Sequence, residues 1–236
     1  MKIIVLTINQ YKEKDAIVTA VAENQLITFL ARGIYNPKSK NSILNNPLTI
    51  VDIELVEGNF KYPILNSSKQ LFTPLKVEMD SKYLGSLLLM NEMMMHLFPD
   101  EEKHRMFPFL EEGIIALRKT NDWLMTLLIF MSHAIRIGGF ELEVNQCINC
   151  GKKKNIVAFS FVDGGFVCED CYYEGMERVF TKEQMVLVRK IFNSRDYSLV
   201  STQYSHGDAQ RLFNKFLEFI QEAFGYRFKN IRLLVD

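Results

Sequence analysis

The chain has 236 residues, enough for one large domain or two small ones. With 48% hydrophobic residues, 12 Gly and 6 Pro, its composition is that of a globular protein and excludes a disordered one. It carries 28 basic and 28 acidic residues, and this formal neutrality by itself argues against nucleic-acid binding.

No segment predicts export or membrane insertion. The apolar run Ile3–Leu6 is too short for the core of a signal peptide and has no small-residue cleavage site after it. The longest apolar segment, residues 123–137, is shorter than a membrane span and contains His133 and Arg136. We therefore expect a cytoplasmic protein without a membrane partner.

The first 65 residues are predicted to form strands, because short segments rich in β-branched and aromatic residues alternate with turn signals. Val51 and Ile53 alternate with Asp52 and Glu54, which is the period of a half-buried strand. Closure removes the exposed edges of short strands, so we expect a five-stranded barrel with an OB-fold as the candidate. The predicted strands are Ile3–Ile8, Ile17–Val21, Leu26–Ala31, Leu48–Val56 and Phe60–Leu65.

From residue 80 onward the sequence predicts helices, at about 81–97, 109–118, 123–137, 182–192 and 208–224. Segment 123–137 is apolar on nearly all sides, so we expect it at the centre of the core. The predicted N-cap residues are Asp80 or Ser81, Asn121 or Asp122, and Thr181, which opens a capping box. Four methionines of the first helix favour core packing over an adaptable partner surface: Met90, Met93, Met94 and Met95.

The predicted fold class is α+β, with an OB-fold domain over residues 1–79 and an α-helical domain over residues 80–236. Within the second domain, residues 146–172 contain all four cysteines of the chain, arranged as two Cys-x-x-Cys pairs. Seventeen residues separate the pairs, which is the spacing of a structural zinc site. A turn at 163–165 predicts a hairpin between the pairs, over residues 156–161 and 166–168. The predicted ligands of one structural zinc ion are Cys147, Cys150, Cys168 and Cys171.

Other uses of the cysteines are less consistent with the sequence. An iron–sulfur cluster usually has different spacing, and two disulfides need an oxidising compartment. A zinc site with four protein ligands is structural rather than catalytic, since it has no open position. Glu92 and His96 lie four residues apart, as metal ligands can, but no second such pair accompanies them. We find no catalytic constellation and predict that the protein is not an enzyme.

A local positive surface is predicted in the N-terminal domain. No acidic residue occurs between Glu23 and Asp52, whereas Arg32, Lys38 and Lys40 fall inside that window. Basic side chains on a loop between strands can follow phosphates, and Tyr11, Tyr35 or Phe29 can stack on bases. A solvated loop with a few lysines is the alternative. Lys152, Lys153 and Lys154 either contact DNA too or offset the charge of the thiolates.

In order along the chain, several motifs resemble those of the RecO family of bacterial DNA-repair proteins. Residues 11–15 are similar to its Tyr-Gly-Glu-x-Asp segment, with Lys12 in place of glycine. Residues 32–40 are similar to its basic Lys-Gly-Ala-Arg-x-x-x-Ser loop, with Tyr35 where the family usually has arginine. Asn91-Glu92, Gly139-Phe140 and the cysteine module also match, the last in the zinc-bearing branch of the family.

This resemblance implies a recombination mediator that binds single- and double-stranded DNA through its OB-fold and anneals complementary strands. It implies work with RecR, contact with the C-terminal tail of single-strand-binding protein, assistance in loading RecA, and a nucleoid-associated place in the cytoplasm. The expected DNA-binding residues are Lys12, Lys14, Arg32, Tyr35, Lys38 and Lys40. A zinc-ribbon transcription or translation factor and a metal-dependent nuclease are the alternatives.

Overall fold

The computed structural model describes residues 1–176 and 178–234. It confirms the predicted α+β class, because a five-stranded barrel comes first and helices follow. The chain divides into two compact units: residues 1–119 with the C-terminal segment from Phe228, and residues 120–227. The predicted domain boundary between residues 79 and 80 stays a prediction.

The barrel has the strand order β1-β2-β3-β5-β4, with β4 pairing back onto β1. Neighbouring strands are antiparallel except β3 and β5, which form one parallel pair at Leu30 and Ile64. This closed five-stranded arrangement fits an OB-fold. The strands are β1 (Lys2–Gln10), β2 (Ala16–Ala22), β3 (Leu26–Ala31), β4 (Ile50–Val56) and β5 (Ile64–Phe72), and a 3₁₀ helix, Lys40–Asn45, follows β3.

The fifth strand differs from its prediction. The sequence predicts Phe60–Leu65, whereas β5 begins at Ile64 and residues 57–63 form the β4–β5 loop. Five of the nine β5 side chains are exposed and five are polar, so the strand is held by its backbone pairing with β4 more than by burial. An apolar periodicity therefore does not mark it. Pro63 is the sequence signal against the predicted strand, since proline cannot donate a hydrogen bond.

Helices α1 (Ser81–His96) and α2 (Phe107–Thr120) belong to the barrel unit for residues up to 119, and a 3₁₀ helix, Lys103–Met106, precedes α2. Asp80 caps α1 as predicted, and its carboxylate accepts the N–H of Tyr83 at 2.7 Å. Three of the four methionines of α1 are fully buried, which confirms the core interpretation for them. The Asn91 amide donates to the carbonyl oxygen of Leu6 at 3.2 Å, which ties α1 to β1.

The C-terminal segment packs on α1 through a buried carboxylate. Glu92 accepts the backbone N–H groups of Lys229 at 2.8 Å and Asn230 at 3.0 Å, and also the Asn230 amide at 2.7 Å. These donors lie at the start of a short 3₁₀ helix, Asn230–Leu233. Glu92 is therefore a capping acceptor for this helix, which accounts for its position better than a metal-ligand role with His96.

The second unit is organised around α3 (Trp123–Ile137), whose residues 124–135 are all buried, as predicted for a central helix. Asp122 caps α3 and also accepts the hydroxyl of Tyr204 at 2.6 Å. Against α3 pack α4 (Lys182–Asn193) and α5 (His206–Ala223), and a 3₁₀ helix, Ser198–Ser201, lies between these two. The predicted capping box at Thr181 is present, with Gln184 as its partner.

A hairpin of β6 (Ile156–Ser160) and β7 (Gly165–Cys168) carries the cysteine module, and a 3₁₀ helix, Glu169–Cys171, follows β7. Aromatic rings join the hairpin to the helices: Phe161 stacks on Phe219 of α5 with centroids 4.6 Å apart. The chain before the first cysteine crosses β7 closely, because Phe166 donates to the Glu143 carbonyl oxygen and Glu143 donates to that of Gly164, both at 2.8 Å. A β-carbon on Gly165 would lie 2.3 Å from the Glu143 oxygen.

No helix in the described part of the chain combines the length and the apolar character that crossing a membrane requires.

We predict that Gly165→Ala lowers the free energy of unfolding by at least about 2 kcal/mol, because the added carbon forces the Glu143 backbone away and breaks its pairing with β7. Gly207→Ala is the matched control. It lies in the first turn of α5 in open space, so the same change should stabilise by about 0.4–1 kcal/mol. Denaturant unfolding of both variants measures the difference. Equal changes in the free energy of unfolding for the two variants would contradict the close approach of Gly165 to the Glu143 backbone.

A second prediction concerns His133, which is 1% exposed on α3. Burial, and secondarily the charge of Arg136, lowers its pKa to about 4. The folded protein thus favours the neutral imidazole, and this contribution to stability is complete above the unfolded pKa of about 6.5 and is lost as the pH falls to 4. The difference of roughly 2.5 pKa units corresponds to about 3 kcal/mol.

Between pH 7 and pH 4, the free energy of unfolding of His133→Leu should fall by about 3 kcal/mol less than that of the parent, as measured by denaturant unfolding at the two pH values. His206→Gln, at an exposed position at the start of α5, should follow the pH profile of the parent. A His133→Leu profile parallel to that of the parent would show that His133 does not contribute.

Candidate metal centre and nucleic-acid interface

The four cysteine sulfurs lie together at one end of the β6–β7 hairpin, all within 4.8 Å of one another. The sulfurs of Cys150 and Cys168 are 3.6 Å apart, and all four cysteines are free of disulfides. In each pair the first cysteine, Cys147 or Cys168, is buried, and the second is more exposed. The structure thus brings together the four residues that the sequence singled out.

The two Cys-x-x-Cys turns close in the same way. The N–H of Gly151 donates to the Cys147 carbonyl oxygen at 2.8 Å, and the N–H of Tyr172 donates to the Cys168 carbonyl oxygen at 2.9 Å. Gly151 has φ +72°, a conformation that glycine adopts without strain. The Ile148 N–H donates to the Phe166 carbonyl oxygen at 2.8 Å, which fixes the first turn against β7.

The protonation of the thiols depends on their mutual contacts. Burial raises the pKa of Cys147. Backbone hydrogen bonds from Cys168, Asn149 and Cys150 lower it by more than burial raises it, so that this pKa falls to about 6. The hydrogen bond with the Cys150 sulfur, assisted by burial, raises the pKa of Cys171 to about 12. The Cys147 thiolate therefore forms readily while Cys150 and Cys171, whose pKa values are raised, resist ionisation, and four thiolates require a cation between them.

The donor set fits a soft divalent cation. Tetrahedral zinc with Zn–S distances of about 2.3 Å places its sulfurs roughly 3.8 Å apart, close to the Cys150–Cys168 separation. With four sulfur donors, the coordination shell has no open position for substrate or water. Lys152 forms an ion pair with Asp170 beside the cluster. The arrangement is thus suited to holding a structural ion.

The barrel brings the two basic segments of the N-terminal domain next to each other. The Asp15 carboxylate, in the β1–β2 turn, accepts the N–H of Gly33 at 2.9 Å, and the Lys14 carbonyl oxygen accepts the N–H of Tyr35 at 3.4 Å. Gly33 has φ +68°, which favours glycine at the bend. The basic side chains on these two loops are all exposed, as is Glu13 on the first loop: they are Lys12, Lys14, Arg32, Lys38 and Lys40.

The aromatic candidates differ in exposure. Tyr11 is 55% exposed beside Lys12, whose Nζ lies 5.5 Å from the ring centroid. Tyr35 is half-buried and packs against the barrel core, so its role on bases stays a prediction. Phe29 is fully buried inside the barrel. The expectation that it stacks on bases is wrong, because its place in β3 turns the ring into the core.

The sequence predicts the β4–β5 connection at residues 57–59, between the two predicted strands, but misses its extension to residue 63. Phe60 and Lys61 are exposed there, and the Lys61 Nζ lies 5.4 Å from the ring centroid of Tyr62. The carbonyl oxygen of Pro63 accepts the N–H of Leu30 at 2.9 Å, so this loop ends beside β3, close in sequence to Arg32. The predicted strand Phe60–Leu65 covers Phe60 and Lys61, so the sequence did not identify them as loop residues.

A second feature absent from the sequence interpretation is a groove of about 240 Å³ between the hairpin and α4. Its cations are Lys153, Lys182 and Arg189, and none of these forms an ion pair with a described residue. Arg189 is held in place, since its Nε donates to the Val144 carbonyl oxygen at 2.8 Å and its guanidinium lies 5.2 Å from the Phe166 ring centroid. Apolar side chains form the rest of the lining: Ile156, Phe166, Met185 and Val186.

Comparison with known proteins gives a consistent result. The family model described as "Recombination protein O C terminal" matches residues 79–224. The chain is similar to the DNA repair protein RecO of Syntrophomonas wolfei, with 26% identity over 217 residues, 91% of this chain and 86% of the relative. It is also similar to the protein of that name from Bacillus subtilis, with 24% identity over 198 residues, 83% of this chain and 77% of the relative.

The similarity extends to nearly the full length in a third relative, the DNA repair protein RecO of Mycoplasma mycoides, which is 22% identical over 237 residues, 95% of this chain and 92% of the relative. The family match alone covers more than half of the chain and includes α1 to α5 and the cysteine module. The chain therefore belongs to the RecO family.

Proposed function

We propose that this protein is a DNA-binding recombination mediator in DNA repair. It binds single- and double-stranded DNA, anneals complementary strands and, with RecR, helps to load RecA on DNA coated with single-strand-binding protein. The observation that carries the proposal is the OB-type barrel with two adjacent basic loops, in a chain of the RecO family. We expect it in the cytoplasm, associated with the nucleoid.

The basic loops support phosphate binding of modest strength. Lys12 and Lys14 stand on one loop and Arg32, Lys38 and Lys40 on the other, and hydrogen bonds join the loops. The Asp15 carboxylate is engaged by the Gly33 N–H, which reduces its repulsion of a phosphate. With three to five phosphates neutralised on a single strand, the log–log salt slope is about −2 to −3.5.

We further propose one structural zinc ion per chain, held by Cys147, Cys150, Cys168 and Cys171. The four sulfurs converge, and the charge that their ionisation creates needs a cation. Bound zinc supplies a cross-link between the two turns and the hairpin. Since the ligands must be deprotonated to bind it, metal affinity also becomes part of the stability of the module.

The groove beside α4 supports the proposed contact with the tail of single-strand-binding protein. An acidic peptide with an apolar end requires an apolar floor with a basic rim. The groove offers both kinds of side chain, because the 52% exposed Val186 lines it together with Lys153, Lys182 and Arg189. RecR as a partner rests on family membership alone.

An enzymatic role has less support. A metal-dependent nuclease holds Mg²⁺ with carboxylates and leaves positions for substrate. Among the described residues, the metal-binding group is the all-sulfur cluster, whose donors suit a closed structural site. A zinc-ribbon transcription or translation factor has no reason to anneal DNA strands, so annealing separates that alternative from the mediator.

The metal prediction is that purified protein contains one equivalent of zinc by elemental analysis, and that Cys168→Ala loses it because three thiolates remain. Val162 lies in the β6–β7 turn and is 97% exposed, so the control variant Val162→Ala should retain the ion. Metal-free parent protein, or zinc retained at full occupancy by Cys168→Ala, would contradict the assignment.

The test of the proposed function is the annealing of complementary oligonucleotides by the protein. The oligonucleotides are used bare in one assay and coated with single-strand-binding protein in a second. Annealing is expected in both cases. Lys38→Ala should weaken binding to all sequences alike and flatten the salt slope by about 0.7, because one phosphate contact is lost. Lys119→Ala, an exposed lysine of α2, should match the parent. A parent protein that neither binds nor anneals DNA would refute the function.

A further inference from the structure

The β4–β5 loop presents an aromatic ring to solvent. Phe60 is 56% exposed, and its N–H donates to the Gly58 carbonyl oxygen at 2.7 Å in a tight turn. A β-carbon on Gly58 would lie 2.9 Å from Cε2 and 3.1 Å from Cδ2 of the Phe60 ring. The ring thus occupies the space that a side chain at position 58 would fill, and the backbone of Gly58 supports it.

This support has an energetic consequence. A free phenylalanine on a mobile loop loses rotational freedom when a ligand orders it, and that loss weakens binding. Phe60 already rests on the backbone, so less freedom remains to be lost. Exposed apolar area on a supported ring is unfavourable in water and becomes favourable when a flat partner covers it.

The surroundings of the ring indicate the class of partner. Phe60 is followed in the sequence by the exposed Lys61, whose ammonium group lies 5.4 Å from the ring centroid of Tyr62, so the loop carries an exposed ring and an exposed cation at consecutive positions. A ring with a neighbouring cation matches a nucleotide, in which a flat base is attached to a phosphate. A protein partner instead requires a contiguous apolar patch, whereas the residues flanking Phe60 are Asn59 and Lys61.

The position of the loop in the barrel agrees. The Pro63 carbonyl oxygen accepts the Leu30 N–H, and Arg32 begins the basic loop two residues after Leu30. OB-folds bind oligonucleotides across the face of strands 2 and 3, between the loop that joins strands 1 and 2 and the loop that joins strands 4 and 5. Here the first of these loops carries Lys12 and Lys14, and the second carries Phe60.

We propose that Phe60 is a base-stacking platform that holds one unpaired nucleobase of single-stranded DNA, with Lys61 on the adjoining phosphate. This inference rests on the proposed DNA-binding function and adds a site to it. Because a base must be unstacked from its duplex to lie on the ring, the platform acts on single strands. It gives the barrel a preference that the phosphate contacts alone do not provide.

The experiment measures binding of a fluorescently labelled single-stranded oligonucleotide, and of the corresponding duplex, to the full-length protein. Phe60→Ala should weaken single-strand binding by roughly 5- to 150-fold, the loss expected for one stacked base. Its salt slope and its duplex affinity should stay those of the parent. Phe60→Tyr should bind like the parent, whereas Phe60→Leu, which is apolar but has no aromatic face, should resemble Phe60→Ala.

A direct signal comes from Phe60→Trp. The parent contains a single tryptophan, Trp123 on α3, whose ring packs edge-to-face on Phe213 of α5. Stacking on a base should quench the new tryptophan of Phe60→Trp when single-stranded DNA is added, beyond any change in the parent. Thermal unfolding of each variant should match the parent, because the ring lies on an exposed loop.

The outcomes separate the site from the function. If the parent binds DNA and Lys38→Ala weakens that binding, while Phe60→Ala binds single strands like the parent, the platform is refuted and the proposed function stands. Equal losses for single strand and duplex in Phe60→Ala would also refute it, since a paired base cannot stack on the ring. A parent that binds no DNA overturns both.

Discussion

The barrel closes through one short parallel contact, at Leu30 of β3 and Ile64 of β5, and the arrangement of its loops depends on that contact. The other strand pairs are antiparallel and each extends over three or more residues, with register shifts in β1–β2 and β4–β5. Closure brings together the end of β3 and the beginning of β5. The basic loop follows β3 and the β4–β5 loop precedes β5. The β3–β5 pairing therefore brings both loops to the same region of the barrel surface.

The second unit depends on a different kind of constraint. Its hairpin is held on one side by phenylalanine packing, as in the stacked pair of Phe161 and Phe219, and on the other by convergence of the four sulfurs. Aromatic packing does not depend on pH or on metal concentration, whereas the sulfur cluster requires deprotonated ligands and a cation. The same small hairpin thus combines a permanent attachment with a conditional one.

Local features of this protein could be predicted from its sequence. Asp80, Asp122 and Thr181 cap their helices as expected, since a cap depends on only a few neighbouring residues. The cysteine pairs are equally local, and their spacing suffices to predict convergence. The central burial of α3 follows from its apolar character on all sides.

Features set by distant contacts could not be predicted in this way. The strand β5 is polar and mostly exposed, so only its pairing with β4 defines it. The burial of Phe29 depends on which face of β3 turns inward, and the sequence of a strand with apolar residues on both faces does not determine that. The meeting of the two basic loops likewise depends on Asp15 reaching Gly33 across eighteen positions of sequence.

The carboxylate of Glu92 has a consequence for the order in which the protein assembles during synthesis. Three hydrogen bonds to it come from Lys229 and Asn230, which are translated after the second unit, whereas the barrel and α1 are translated before it. Until those residues emerge from the ribosome, the Glu92 carboxylate on α1 lacks these three hydrogen-bond donors. The first unit thus begins before the second unit and is completed after it, and a ribosome that stalls before residue 229 leaves the first unit without these contacts.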